Sequence, residues 1–272
     1  MVDLRLGDCL ELMKDIPDGS VDMILCDLPY GTTRNKWDSI IPLDRLWEQY
    51  KRVIKENGAI VLFSAEPFTS LLITSNIQWF RYDLIWSKTQ GSDFLNANRK
   101  PLRSHENICV FYKKQPTYNP QKTEGKPYKA KSGETTSSNF GKFNGNHNTE
   151  NKDGKRCPLS VLRFSGEHNR GKQHPTQKPT DLLEWMIKTY TNEGEIVLDN
   201  TAGSMSTVIA CINTNRNCIA IEKDEHYFSV GCKRVHNHIL ENNIDLCYNQ
   251  VCGGAYLWQS SKTEQVKDMV GF

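Results

Sequence analysis

Four consecutive residues, Asp27-Leu28-Pro29-Tyr30, join a carboxylate, a proline-stiffened turn and an aromatic ring at the end of the apolar run Val21–Cys26. Proline has no N–H, fixes its own φ and pushes Leu28 toward extended backbone, so the Leu28 carbonyl can face a cavity instead of a ladder. Asp27 and that carbonyl are then two acceptors for the two hydrogens of one planar exocyclic amine. Tyr30 can stack on the ring carrying the amine, and Gly31 lets the chain pass close by. A strand end followed by an ordinary tight turn uses the same residue types. The accompanying segments therefore decide the meaning.

A second constellation spans Val197 to Thr207, where an apolar strand runs through Asp199-Asn200-Thr201-Ala202-Gly203-Ser204-Met205 into the helix Thr207–Thr214. Glu222 closes the following strand about 20 residues later, the spacing of a site where backbone approaches at the turn and a carboxylate meets ribose hydroxyls. Helix N-terminal N–H groups with Ser and Thr hydroxyls suit a phosphate or the carboxylate of an amino-acid-like cofactor. The loop alone does not choose between a nucleotide and S-adenosylmethionine.

The elements around these segments alternate between short apolar runs and amphipathic stretches. Up to Lys114 the runs are Val21–Cys26, a helix Leu43–Asn57 stopped by Asn57-Gly58, then strands Ala59–Ser64, Tyr82–Ser87 and Asn107–Tyr112. From Pro179 the pattern resumes as helix Pro179–Tyr190, strand Glu195–Leu198, helix Thr207–Thr214, strand Cys218–Ile221 and helix Glu225–Glu241. Such alternation predicts a largely parallel sheet with helices on both faces. Between them, residues 115–172 are rich in Lys, Asn, Gly, Ser and Thr, carry Arg156, Arg163 and Arg170, and lose apolar periodicity. A patternless segment of that length is functional or disordered. One α/β domain is thus read as a first half, residues 1–114, an insertion, 115–171, and a second half, 172–244, with no pattern in the tail 245–272.

The 272 residues allow one large core, and a formal charge of only +2 means that any basic surface must come from uneven distribution. Nine cysteines without a CxxC pair read as reduced core residues, and neither an export signal nor a membrane-length apolar run is present, so a cytoplasmic protein with no membrane partner is expected. No metal-ligand spacing is visible.

Asp27-Leu28-Pro29-Tyr30 resembles the Asp-Pro-Pro-Tyr motif of the β group of S-adenosylmethionine-dependent DNA amino-methyltransferases, with Leu28 at the first proline. Asp199–Thr207 resembles the family's Asp-Pro-Phe-x-Gly-Ser-Gly-Thr-Thr loop, with Asn200-Thr201 for Pro-Phe and Met205 for the second glycine. Gly7-Asp8-Cys9-Leu10-Glu11, His105-Glu106-Asn107 and His174-Pro175-Thr176-Gln177-Lys178-Pro179 resemble three further family segments in the family's order.

The resemblance implies a Rossmann-like three-layer α/β/α fold whose insertion recognises the target sequence. It implies S-adenosylmethionine as cofactor and DNA as substrate, with adenine N6 favoured over cytosine N4 by the aspartate. The catalytic set would be Asp27, Leu28, Pro29 and Tyr30, acting on an everted base. The cofactor set would be Asp8, Cys9, His174, Thr176, Gln177, Lys178, Asp199, Asn200, Ala202, Gly203, Ser204, Ser206, Thr207 and Glu222. In that set Asp8 accepts the cofactor's adenine amine and Lys178 faces its carboxylate, although Asp8 also reads as a helix N-cap. If the glycine replaced by Met205 has positive φ, Met205 is strained by about 1–3 kcal/mol. RNA or protein-amide methylation, and DNA binding with impaired cofactor use, are the competing readings; a homodimer and a separate restriction endonuclease partner stay open.

Overall fold

The computed structural model describes residues 1–31, 38–130, 149–165, 177–245, 247–251 and 255–259. In chain order these form β1 (Val2–Leu6), α1 (Cys9–Leu12), β2 (Val21–Asp27), α2 (Leu43–Val53), β3 (Ile54–Ser64), α3 (Phe68–Ser75), β4 (Phe80–Ser92) and β5 (Arg103–Phe111). There follow β6 (Tyr128–Ala130), β7 (Thr149–Asn151), β8 (Val161–Arg163), α4 (Thr180–Tyr190), β9 (Ile196–Asp199), α5 (Ser206–Asn213), β10 (Asn217–Glu222), α6 (Glu225–Glu241), β11 (Cys247–Val251) and β12 (Ala255–Gln259).

One sheet has the order β11-β12-β1-β10-β9-β2-β3-β5-β4-β8. Its central strands β1, β10, β9, β2 and β3 are mutually parallel. Because both faces of β2, β9 and β10 are covered, their centres read as continuous apolar runs, whereas β1 alternates as Val-Asp-Leu-Arg-Leu. In β2, Met23 and Leu25 enter the core beneath α4, α5 and α6, while Ile24 and Cys26 enter the one beneath α1, α2 and α3. This is the expected three-layer α/β/α arrangement.

Chain direction along the sheet reverses between β9 and β2, and crevices for ligands open at the carboxyl ends of strands at such a reversal. Met23 lies beside Val197 and Ile24 beside Leu198. Asp27 and Asp199 accordingly end adjacent strands.

One expectation is corrected, and two features add to the mostly parallel reading. α2 ends at Val53, short of Asn57-Gly58, because its buried stripe Leu46, Trp47, Tyr50, Val53 is exhausted there and Ile54 turns extended to pair with Val21. Gly58 serves a close approach instead of a helix stop, since a Cβ there would lie 2.7 Å from the Ile54 side chain and 2.8 Å from the Asp22 carbonyl oxygen. β5 runs antiparallel to both β3 and β4, so parallel order stops at β3. The tail, without pattern in the sequence, supplies the hairpin β11–β12, whose second strand pairs antiparallel with β1.

Residues Met1–Asn119 together with the described residues from Ser160 onward form one compact unit, and Pro120–Leu159 another. The smaller unit has the β6–β7 pairing and a Thr123–Arg156 bridge. Arg156 donates to the carbonyls of Gly154 at 2.7 Å and Lys126 at 2.5 Å and covers the Tyr128 ring. It holds its own loop together. Arg163 lies in the larger unit, on β8 beside β4. Arg170 lies outside the described residues.

Candidate active site

A cavity of about 910 Å³ opens over the carboxyl ends of β2, β9 and β10. Asp27 through Tyr30 line one part, and Asp199 through Ser204 with Glu222 another. The two constellations, distant in sequence, share one space.

β2 delivers Asp27, whose side chain is 26% exposed, and its carbonyl accepts from Thr201 Oγ1 at 3.1 Å, tying the two strand ends together. Tyr30 donates from its hydroxyl to Asp27 Oδ1 at 2.7 Å, and its ring stacks on Phe68 with centroids 5.4 Å apart. Gly31 has φ +66, and its N–H donates to Asp38 Oδ1 at 2.8 Å. Leu28 is buried. Lys178 bonds Asp27 Oδ2 and stands 3.3 Å from Glu106 Oε2, which Lys88 flanks through Oε1.

Burial raises the Asp27 carboxyl above its ordinary value against the opposing pull of Lys178. Burial would lower the Lys178 ammonium, but Asp27 and Glu106 outweigh it and the lysine stays protonated. For Glu106 burial pushes upward, and Lys178 with Lys88 overcomes that push. The group is an alternating row of charges, Lys88, Glu106, Lys178, Asp27. Lys178 therefore meets the carboxylate expected to be catalytic, where the sequence placed it toward a cofactor carboxylate.

On the β9–α5 side, Gly203 has φ +50 and its N–H donates to Glu222 Oε2 at 2.7 Å, while Asp224 N–H donates to Glu222 Oε1 at 2.8 Å. Asn200 accepts on Oδ1 from Tyr50 at 2.5 Å and Cys26 at 2.8 Å, and its buried Nδ2 has no hydrogen-bond partner among the described residues. Arg234 of α6 staples the turn by donating to the Ser204 carbonyl at 2.9 Å and Ser206 Oγ at 2.7 Å. Ala202, Thr207 and Gln177 also line the cavity. Asp8 caps α1 through Leu10 N–H at 2.9 Å and pairs with Lys223 at 2.9 Å, which draws its carboxyl below the usual range; Cys9 sits beside it on the wall. Met205 adopts φ +62 in a fully buried position. His174 and Thr176 lie outside the described residues. Lys88, Tyr50 and Arg234 are partners that the sequence did not assign, because strand and helix periodicity place them on faces without saying what they meet; Glu106 belongs to the His105-Glu106-Asn107 segment, which the resemblance singled out without giving it a role.

Burial pushes Asp199 up to about 7, opposed by the Thr207 hydroxyl and the Thr201 N–H, and burial likewise raises Glu222. Together with Asp27, these carboxylates make a cavity that favours positive charge, and the orphaned Asn200 donor awaits an acceptor. A sulfonium cation carrying a ribose and an amino acid fits that donor set. A raised carboxyl holds its proton more tightly in the folded state, so its effect on stability is a loss as pH rises between 3.8 and about 7. Unfolding of the ligand-free protein followed by denaturant titration is expected to show stability falling by about 1.4 kcal/mol from pH 6 to pH 8 through Asp199 alone. Asp199→Asn is expected to flatten that slope.

A doubly wound sheet with this turn, this carboxylate and this crevice defines a nucleoside-cofactor enzyme of the methyltransferase type. A sequence profile described as DNA methylase (N6_N4_Mtase) matches residues 21–233. The type II methyltransferase M.HpaI of Haemophilus parainfluenzae is 29% identical over 257 residues, covering 86% of this chain and 74% of its own. The DNA adenine methyltransferase YhdJ of Escherichia coli K12 is 28% identical over 245 residues, covering 84% and 81%. The crystal structure of the M1.HpyAVI–SAM complex superposes with TM-score 0.61 at 26% identity, over 86% of this chain and all of that one. The chain belongs to the S-adenosylmethionine-dependent N6/N4 DNA amino-methyltransferase family. It is a DNA methyltransferase that uses S-adenosylmethionine. Among the described residues no helix is long and apolar enough to cross a membrane.

Proposed function

We propose that the protein methylates the exocyclic N6 of adenine at a specific DNA sequence, acting on a base turned out of the duplex. The observation that carries this reading is the placement of Asp27 in one cavity with Gly203 and Glu222. When bound, S-adenosylmethionine supplies an electrophilic methyl on a sulfonium; Gly203, Asn200 and Glu222 are the residues that would hold it.

The chain's own contribution is orientation and charge. Adenine N6 is a weak nucleophile because its lone pair is delocalised into the ring. Hydrogen bonds from its two hydrogens to Asp27 and the Leu28 carbonyl would favour a pyramidal nitrogen and stabilise the charge that develops on it. Asp27 need only receive the proton after transfer, when it has become acidic. Eversion of the base costs a few kcal/mol, partly recovered by stacking on Tyr30. Asp at the head of the motif and the likeness to a relative named an adenine methyltransferase both support adenine over cytosine. The segment 115–171 is assigned to target recognition on its local excess of Lys and Arg. Sequencing DNA with modification detection from cells expressing the chain is expected to show N6-methyladenine in one recurring word. Modified cytosine in that word would overturn the adenine assignment.

A further inference from the structure

Glu106 has no part in the chemistry above, yet it is a buried carboxylate on β5 at the wall of the cavity. Its Oε1 takes a hydrogen bond from Lys88. Its Oε2 is buried without a hydrogen-bond partner among the described residues, although Lys178 Nζ is only 3.3 Å away. The lysine, which has three N–H donors, makes its shorter contact with Asp27 Oδ2.

That arrangement places two donors on the acceptor that the reaction needs. Tyr30 takes one lone pair of Asp27 Oδ1 and Lys178 one of Oδ2, so an incoming amine must share a carboxylate oxygen with one of them. An ammonium left beside the amine would also oppose the positive charge that grows on it during transfer. Expelling a lysine that is 7% exposed is costly, because an uncompensated buried charge remains on each partner it leaves. A short move to an acceptor already waiting avoids that cost. The Phe63 ring, 5.0 Å from the ammonium, provides an apolar floor for such a move.

We propose that Glu106 is a positioning residue whose Oε2, already paired with Lys178, takes over the lysine when the target amine takes Asp27 Oδ2, with Lys88 holding the receiving carboxylate in place. Lys178 is thus a two-position cation that guards Asp27 until the base arrives. The inference rests on the reading of Asp27 as the amine acceptor and goes beyond it.

The test uses Glu106→Gln in the full chain, which keeps shape and removes the charge that would receive the lysine. Single-turnover methylation is expected to slow about 30-fold to 100-fold with cofactor affinity changed less than about twofold. A duplex with 2-aminopurine next to an intact target adenine, which brightens when its neighbour is everted and stacking is lost, is expected to brighten less with the variant than with the wild-type protein. Making Glu106→Gln in a Lys178→Met background is expected to add less than about a twofold further loss, because no ammonium is left to be moved. Wild-type rate and fluorescence in Glu106→Gln, or a loss that multiplies unchanged across the double-mutant cycle, would overturn the proposal. Either result beside an inactive Asp27→Ala removes the Glu106 inference alone. An active Asp27→Ala removes the amine-acceptor reading, and the inference with it.

Discussion

Replacing Asp27 by alanine is expected to slow methyl transfer by about a thousandfold or more while cofactor affinity stays within about threefold. The asymmetry follows from the geometry. The proposed cofactor contacts Gly203 and Glu222 are bonded to each other and to Asp224, and do not depend on Asp27 for their positions. The amine, in contrast, loses its charged acceptor. Preorganised acceptors of this kind are worth about 3–4 kcal/mol each in the transition state. Asp27→Asn is expected to be nearly as slow, because the carboxamide keeps the volume but brings a donor and no negative charge. Transfer of tritiated methyl groups to DNA, paired with calorimetric titration of S-adenosylmethionine, checks both halves. A variant with wild-type rate, or one that no longer binds cofactor, would refute the division of labour.

The second large effect is expected at Gly231, which lies in α6 far from any motif. Met205 stands in left-handed backbone where the resembling loops have glycine, at a cost of about 1–2 kcal/mol for an L-residue. Its side chain is fully buried, and burying a methionine returns about 1.5–3 kcal/mol. The space it fills is that of an absent Cβ: one built on Gly231 would lie 2.3 Å from Met205 Cγ and 3.2 Å from the Gly203 carbonyl oxygen. The missing side chain at 231 and the extra one at 205 are thus a matched pair. This gives the unusual loop a structural rationale. Gly231→Ala is expected to destabilise by about 3 kcal/mol through overpacking and to weaken cofactor binding by displacing the turn. Met205→Gly in the Gly231→Ala background is expected to restore most of both losses. Thermal unfolding and cofactor titration of the three variants check this, and additive losses would refute it.

These two cases also show what was legible in the chain. The Asp27 segment, the β9 turn and Glu222 could be placed from residue types because each ends an apolar strand, and strand ends at a direction reversal converge. Helices α2, α4, α5 and α6 and the parallel centre followed from period and caps, as for α6, whose bounds Glu225–Glu241 coincide with the pattern. What did not follow was set by tertiary partners. The early end of α2 depends on Ile54 finding Val21, and the β4–β5 hairpin depends on antiparallel pairing that an apolar run does not encode. The location of Lys178 was readable as lining the site, but its choice of Asp27 required knowing that Glu106 and Lys88 stand across β4 and β5. The tail offered no periodicity, and its strands exist by pairing on the free edge of β1.

The unit Pro120–Leu159 makes its own pairings, with Arg156 knotting its loops to one another. Among its described residues these pairings are internal to the unit. Lineages of such a chain can therefore exchange or remodel this excursion by recombination while leaving Asp27 and Glu222 in register. On the proposed reading of this segment as the target-recognition element, new vocabularies can then be acquired without renegotiating the reaction.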